Sequence, residues 1–145
     1  MTLSELYVGC RTYRRFEQRP LPDGLLRAVL ENARIASTGA NAQTLRFIAV
    51  QSSALVAQMQ PLVRWAAYLP KEIGTPAEGE RPVAFVVIVK KAGSGAFADV
   101  DVGIAANTIA TTAWEAGVGS CLMASVNRAE IAALLGVPAE DTVFL

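Results

Sequence analysis

Apolar residues recur along the chain at two spacings. Leu25, Leu26, Val29, Leu30 and Ala33 follow the three-and-four repeat of a helix with one buried face, opened by Pro22-Asp23. Val83 to Lys90 is a continuous β-branched and apolar run, the pattern of a central strand covered on both sides. Between Asp99 and Ala116 the residues Val102, Ile104, Ala105, Ala106, Ile109, Ala110 and Ala113 predict a long helix that is apolar nearly all round and ends at Gly117. Such a helix is buried centrally or in a subunit interface, and its alanines permit close approach.

Shorter elements fill the intervals. Thr2-Leu3-Ser4-Glu5 fits a capping box and starts a helix running to about Val8. Arg11 to Pro20 reads as irregular or extended, Ser37 to Asn41 as a loop, and Arg46 to Gln51 as a strand. Ser52-Ser53 cap a third helix through Leu55, Val56 and Met59 to Leu62. Lys91 to Gly95 is a turn and Gly119 to Val126 a further strand and loop. Asn127-Arg128-Ala129-Glu130 is a second capping box, opening a helix with Ile131, Leu134 and Leu135 that Gly136 and Pro138 close. Thr142 to Leu145 begins a strand. Trp65 to Arg81 is the least regular stretch, and a long loop in a small domain is often a lid or binding loop. Its Trp65 and Tyr68 are placed either to cover a planar ligand or to pack the loop onto the body.

Length and composition narrow the classes. A chain of 145 residues is one domain, 1–145, with room for a core. It is 52% hydrophobic, yet its longest apolar run, Val83 to Val89, is far too short to span a bilayer. Surplus apolar surface then belongs in a subunit contact, most simply a symmetric homodimer. Thirteen basic and 13 acidic residues leave no general basic face, which argues against nucleic acid as a partner. Met1 to Cys10 shows no targeting pattern, so the cytoplasm is the default location. Cys10 and Cys121 are too few for a disulfide framework, and Cys121 reads as a small buried residue.

The chain contains no histidine. That excludes a Ser-His-Asp triad, a His-ligated metal and a histidine base, and makes a bound cofactor the natural source of any chemistry. No side chain is assigned a catalytic role, and Asp99 with Asp101 is a poor metal set, better read as acids at a helix start. Two segments are candidates for ligand binding. Arg11, Thr12 and Arg14 combine guanidinium groups suited to phosphate with a hydroxyl. Thr38, Gly39 and Asn41 form a small loop that leaves its main chain open to a flat ring system. Neither a dinucleotide-binding glycine fingerprint nor a phosphate-binding loop is present.

The order of these segments resembles the FMN-dependent nitroreductase family. The correspondences are Cys10-Arg11-Thr12-Tyr13-Arg14-Arg15-Phe16 after a short helix, and Ser37-Thr38-Gly39-Ala40-Asn41-Ala42-Gln43-Thr44 before a strand. Glu115-Ala116-Gly117-Val118-Gly119-Ser120 at the end of the long helix and Gly136-Val137-Pro138 follow in the same order. The resemblance implies an α+β, three-layer α/β/α sandwich with a mixed, mostly antiparallel sheet. It also implies a homodimer with FMN at its interface. Arg11, Thr12 and Arg14 would face the FMN phosphate, ribityl or pyrimidine end. Thr38, Gly39 and Asn41 would reach the flavin from the other subunit, and Met123, Ala124 and Ser125 would lie over it near N5. NAD(P)H would be the co-substrate, and an electron-poor small molecule such as a nitroaromatic or quinone the acceptor. Cys10 stands where the family has a first arginine, Ser37 and Thr44 replace prolines, and the chain is short at its C-terminus. A flavin-binding carrier or sensor without turnover is the alternative, and a different reaction on the same fold is a third.

Overall fold

The computed structural model describes residues 1–66 and 68–144. Strand β2 (Phe85–Lys90) is the middle of a three-stranded antiparallel sheet. On one side it pairs with β1 (Leu45–Val50) along its whole length, from Leu45↔Lys90 to Val50↔Phe85. On the other, β3 (Thr142–Val143) pairs through Lys90↔Thr142 and Val89↔Val143. Side chains of a strand alternate between faces. Val87 and Val89 accordingly enter a core with Val50, Met59, Ile131 and Val143, while Ile88 enters another with Val102, Ala105 and Ala106. The unbroken apolar run follows from this double burial, each such side chain contributing about 1.5–3 kcal/mol.

Helices cover both faces. On the Ile88 side lie α2 (Leu25–Ile35) and α5 (Ala98–Glu115), which meet through Leu25, Val29 and Ala113. Asn32 Nδ2 donates to Thr112 Oγ1 at 3.1 Å across this contact. On the opposite face lie α3 (Ser53–Met59) and α6 (Arg128–Leu135), which supply Val56, Met59 and Ile131. The layering is the α+β sandwich expected from the sequence. Both named strand pairings are antiparallel, and among the described residues the parallel element is a single bridge, Thr12↔Ser120.

Thr2, Ser52 and Asn127 cap their helices as the sequence predicts, whereas α2 opens at Leu25 behind Gly24, two residues past the expected Pro22-Asp23 start and without a side-chain cap. In α1 (Leu3–Gly9) the Thr2 hydroxyl accepts the Glu5 N–H and the Glu5 carboxylate accepts the Thr2 N–H, a complete capping box. At α6 the Asn127 side chain caps Glu130 N, but the Asn127 N–H donates to Leu62 O instead of to Glu130.

Some expectations are corrected. Gly119 to Val126 forms no regular strand: Ser120 bridges Thr12 at one end and Val126 bridges Val63 at the other, so its backbone partners lie on different segments. The third helix stops at Met59, and Pro61 tightens the chain into a 3-10 turn over Gln60–Leu62. The Trp65 to Arg81 stretch carries a short helix α4 (Lys71–Gly74) and a turn at Glu78–Glu80. Ala67 of that stretch and Leu145 of the last predicted strand lie outside the described residues. Among the described residues, no helix is long and apolar enough to cross a membrane.

Candidate functional site

The first candidate segment is held by an aromatic clamp. Tyr13 N donates to Ser120 O at 2.9 Å, and the Tyr13 ring stacks on Trp114 with centroids 5.1 Å apart. The Tyr13 hydroxyl donates to Gly9 O at 3.1 Å. Close approach here needs glycine, because a Cβ at Gly119 would lie 2.6 Å from the Tyr13 ring and one at Gly9 would lie 2.6 Å from Trp114 Nε1. Thr12 and Arg14 flank Tyr13 along the chain, Thr12 exposed and Arg14 half-buried.

The arginines divide into different roles. Arg11 Nη1 donates to Tyr7 O at 2.7 Å and to Cys10 O at 3.1 Å, satisfying carbonyls at the end of α1. Arg14 Nη2 donates to the Tyr68 hydroxyl at 2.9 Å, and the remaining guanidinium N–H groups make no hydrogen bond among the described residues. Arg15 instead staples the 71–80 region: it donates to Glu80 Oε2 at 3.1 Å and to Glu72 O at 2.6 Å. Trp65 and Tyr68 do not act as a pair. Tyr68 is exposed beside Arg14, while Trp65 lines an apolar cavity of about 180 Å³ with Phe16, Met59, Cys121 and Met123.

Cys121 is half-buried rather than fully buried. Desolvation pushes its thiol pKa up, and the Arg14 guanidinium partly opposes that shift. Met123, Ala124 and Ser125 follow, with Ala124 and Ser125 exposed. Two carbonyls of this loop are fixed from outside: Arg128 Nη2 donates to Ala124 O at 3.0 Å and Arg64 N to Ser125 O at 2.9 Å. The bridge between Thr12 and Ser120 joins the 11–14 segment to the stretch that leads into the 123–125 loop.

The second candidate segment is separately built. Ala40, Asn41 and Gln43 all have positive φ, at 51°, 53° and 49°. Left-handed conformations in non-glycine residues cost on the order of 1–3 kcal/mol each and persist only where surroundings impose them. Here those surroundings are at the start of α5. Gly39 N donates to Asp101 Oδ1 at 2.8 Å, and a Cβ on Gly39 would lie 2.7 Å from that of Phe97. Thr38 O accepts the Asn41 N–H at 3.1 Å, and Thr38 Oγ1 accepts the Gln43 N–H at 3.4 Å. The Asn41 side chain is exposed and makes no hydrogen bond among the described residues.

These two regions contact opposite ends of α5. The Thr38–Gln43 loop rests on Phe97 and Asp101, and the Tyr13 clamp rests on Trp114. At a rise of about 1.5 Å per residue, Asp101 and Trp114 are about 20 Å apart along the axis. One chain does not bring Arg11, Thr12 and Arg14 together with Thr38, Gly39 and Asn41.

Two residues that hold the candidate segments in place were not singled out from the sequence. Asp101, read as a helix-start acid, is a buried carboxylate gripping the loop. Its signal was its register, on the same face as Ala98, Val102 and Ala105. Tyr13, present in the quoted motif but given no role from the sequence, is the anchor of its segment.

Sequence and structure comparisons agree on one grouping. The nitroreductase family matches residues 9–145. No curated protein matches the chain. Among solved structures, a nitroreductase family protein from Clostridium novyi NT shares 21% identity at a TM-score of 0.81, over 99% of this chain and 81% of that one. One from Clostridium difficile 630 shares 20% at 0.79, over 99% and 80%. The FMN and NADPH-dependent nitroreductase NfnB from Sphigopyxis sp. strain HMH shares 18% at 0.75, over 99% and 85%. At these identities the structural likeness establishes the fold.

Proposed function

The chain belongs to the nitroreductase family, and from that premise we propose an FMN-dependent oxidoreductase. It takes a hydride from NAD(P)H and passes it to an electron-poor small molecule such as a nitroaromatic or quinone. Hydride transfer is chemistry that protein side chains do not supply, and bound FMN would provide its accepting centre. The donor set fits that group. Among the described residues Arg14 keeps unengaged N–H groups for an anionic or carbonyl-rich end, Thr12 adds a hydroxyl, and the pinned 123–125 loop carries the exposed Ala124 and Ser125.

The observation that carries this reading is the separation along α5. Two segments suited to one ligand lie at opposite ends of an 18-residue helix. A twofold axis crossing that helix brings the front end of one copy beside the back end of the other. The homodimer then completes each site, with Thr38, Gly39 and Asn41 contributed by the second copy. Phe97, Val100 and Ile104 support this arrangement, since they leave an exposed apolar stripe on α5 for the partner to cover.

In this site the protein orients rather than reacts. Arg11 and Arg14 offset negative charge, and Met123 to Ser125 shape the face open to donor and acceptor in turn. The test is a visible spectrum after FMN addition and gel filtration, followed by anaerobic NADPH. Retained flavin absorbance that bleaches supports the oxidoreductase. Retained absorbance that persists assigns the chain to binding without turnover, and loss of flavin on the column removes the cofactor from the proposal.

A further inference from the structure

We infer that Asp101 is the positioning residue that presents the Thr38–Asn41 loop to the flavin, an inference that rests on the proposed FMN site. Asp101 is buried, with 3% of its surface exposed. A carboxylate in that position requires a donor. The structure provides the Gly39 N–H at 2.8 Å, from a segment 62 residues away in sequence.

The loop could not hold its shape unaided. Its Ala40, Asn41 and Gln43 sit in left-handed backbone, and Gly39 is pressed against Phe97 with no room for a side chain. Within the loop, Asn41 N and Gln43 N are satisfied by Thr38. Beside the Phe97 contact, Asp101 supplies the side-chain hydrogen bond from the loop to the body. It lies one helical turn into α5, where the N-terminal end of the helix favours a carboxylate. The same helix, with Phe97 at its N-cap, provides the exposed apolar stripe of Val100 and Ile104. Asp101 therefore couples the loop geometry to the element proposed to face the second copy. The loop is set before any ligand arrives, which lowers the ordering cost of binding.

Asp101→Asn and Asp101→Ala test the assignment on the full chain. Asn keeps a neutral acceptor of nearly the same shape, and a charge-assisted hydrogen bond is roughly twice as strong as a neutral one. Hydrogen exchange of the 38–43 amides in the flavin-free protein is the first readout, and FMN affinity by fluorescence titration the second. The expected order is wild type, Asn, Ala. Exchange should quicken several-fold in Asn and at least tenfold in Ala, with FMN affinity weakening in the same order. Exchange in α6 should stay unchanged, a local signature that general destabilisation would not produce. Unchanged loop exchange in the variants overturns the inference. So does faster exchange with unaltered FMN affinity, since the loop would then not face the flavin. If Ala does not fold, Asn alone decides by the same two readouts. Should wild-type protein bind no FMN, the cofactor reading and with it the flavin-facing role fall, while the exchange data still report whether Asp101 holds the loop.

Discussion

Tyr13 and Trp114 stack with ring centroids 5.1 Å apart and planes 17° from parallel, joining the arginine-bearing segment to the end of the long helix. Gly119 flanks this stack so closely that a Cβ there would fall 2.6 Å from the tyrosine ring. Gly119→Ala must displace Tyr13 or the 118–120 backbone. Overpacking of this kind costs about 1–3 kcal/mol. A lowered midpoint in urea is expected, together with weaker FMN binding, because Thr12 and Arg14 move with Tyr13. Undiminished stability would show that the clamp yields without strain.

Arg14→Ala should weaken FMN binding several-fold or more. A hydrogen bond to a charged group contributes about 1.5–3 kcal/mol. Tyr68→Phe is the matched control, because it removes the chain's own partner of Arg14 and leaves the guanidinium in place. Its FMN affinity should equal or exceed that of wild type. Fluorescence titration of both variants separates charge from loop docking, and an unaltered affinity in Arg14→Ala takes this residue out of the site.

Ile104→Arg places a charge in the exposed apolar stripe of α5. Light scattering after gel filtration should report a halved mass relative to wild type. FMN retention should fall with it, because each site draws on both copies. A monomeric variant that keeps its flavin would place the whole site within one chain.

Burial raises the Cys121 thiol pKa above its ordinary value, with Arg14 opposing. A raised folded-state value means that the folded chain keeps this proton longer than the unfolded one. The stabilisation is complete below the ordinary thiol range and is lost as pH rises through the raised value. Iodoacetamide should therefore modify Cys121 slowly at neutral pH and faster in alkaline buffer, as followed by peptide mass. Arg14→Ala removes the opposing charge and should slow the reaction further at each pH. Rapid modification at neutral pH would contradict the burial.

The parts legible in the sequence are those governed by near neighbours. Thr2 with Glu5, Ser52 with Leu55 and Asn127 with Glu130 meet over three residues, so the helix starts follow from their spacing. The β2 run announced a strand buried on both faces, and the arginine and small-residue motifs located both candidate segments. Their order along the chain was enough to indicate the family. What lay beyond reach was which residues face which way. Nothing local distinguishes Arg14, at the candidate site, from Arg15, which holds Glu80 and the carbonyl of Glu72. Nothing local tells that Asp101 turns inward to the Gly39 amide while Asp99 turns outward to Lys90 at 2.6 Å. Helix and strand periodicity arise from backbone geometry repeated every few residues, so the sequence alone determined the long periodic elements, though not the irregular 119–126 segment or the short helix at Lys71–Gly74. The pairing of Asp101 with Gly39, the Tyr13 clamp and the separation of the two segments by the length of α5 depend on how distant elements pack, and only the tertiary structure decided them.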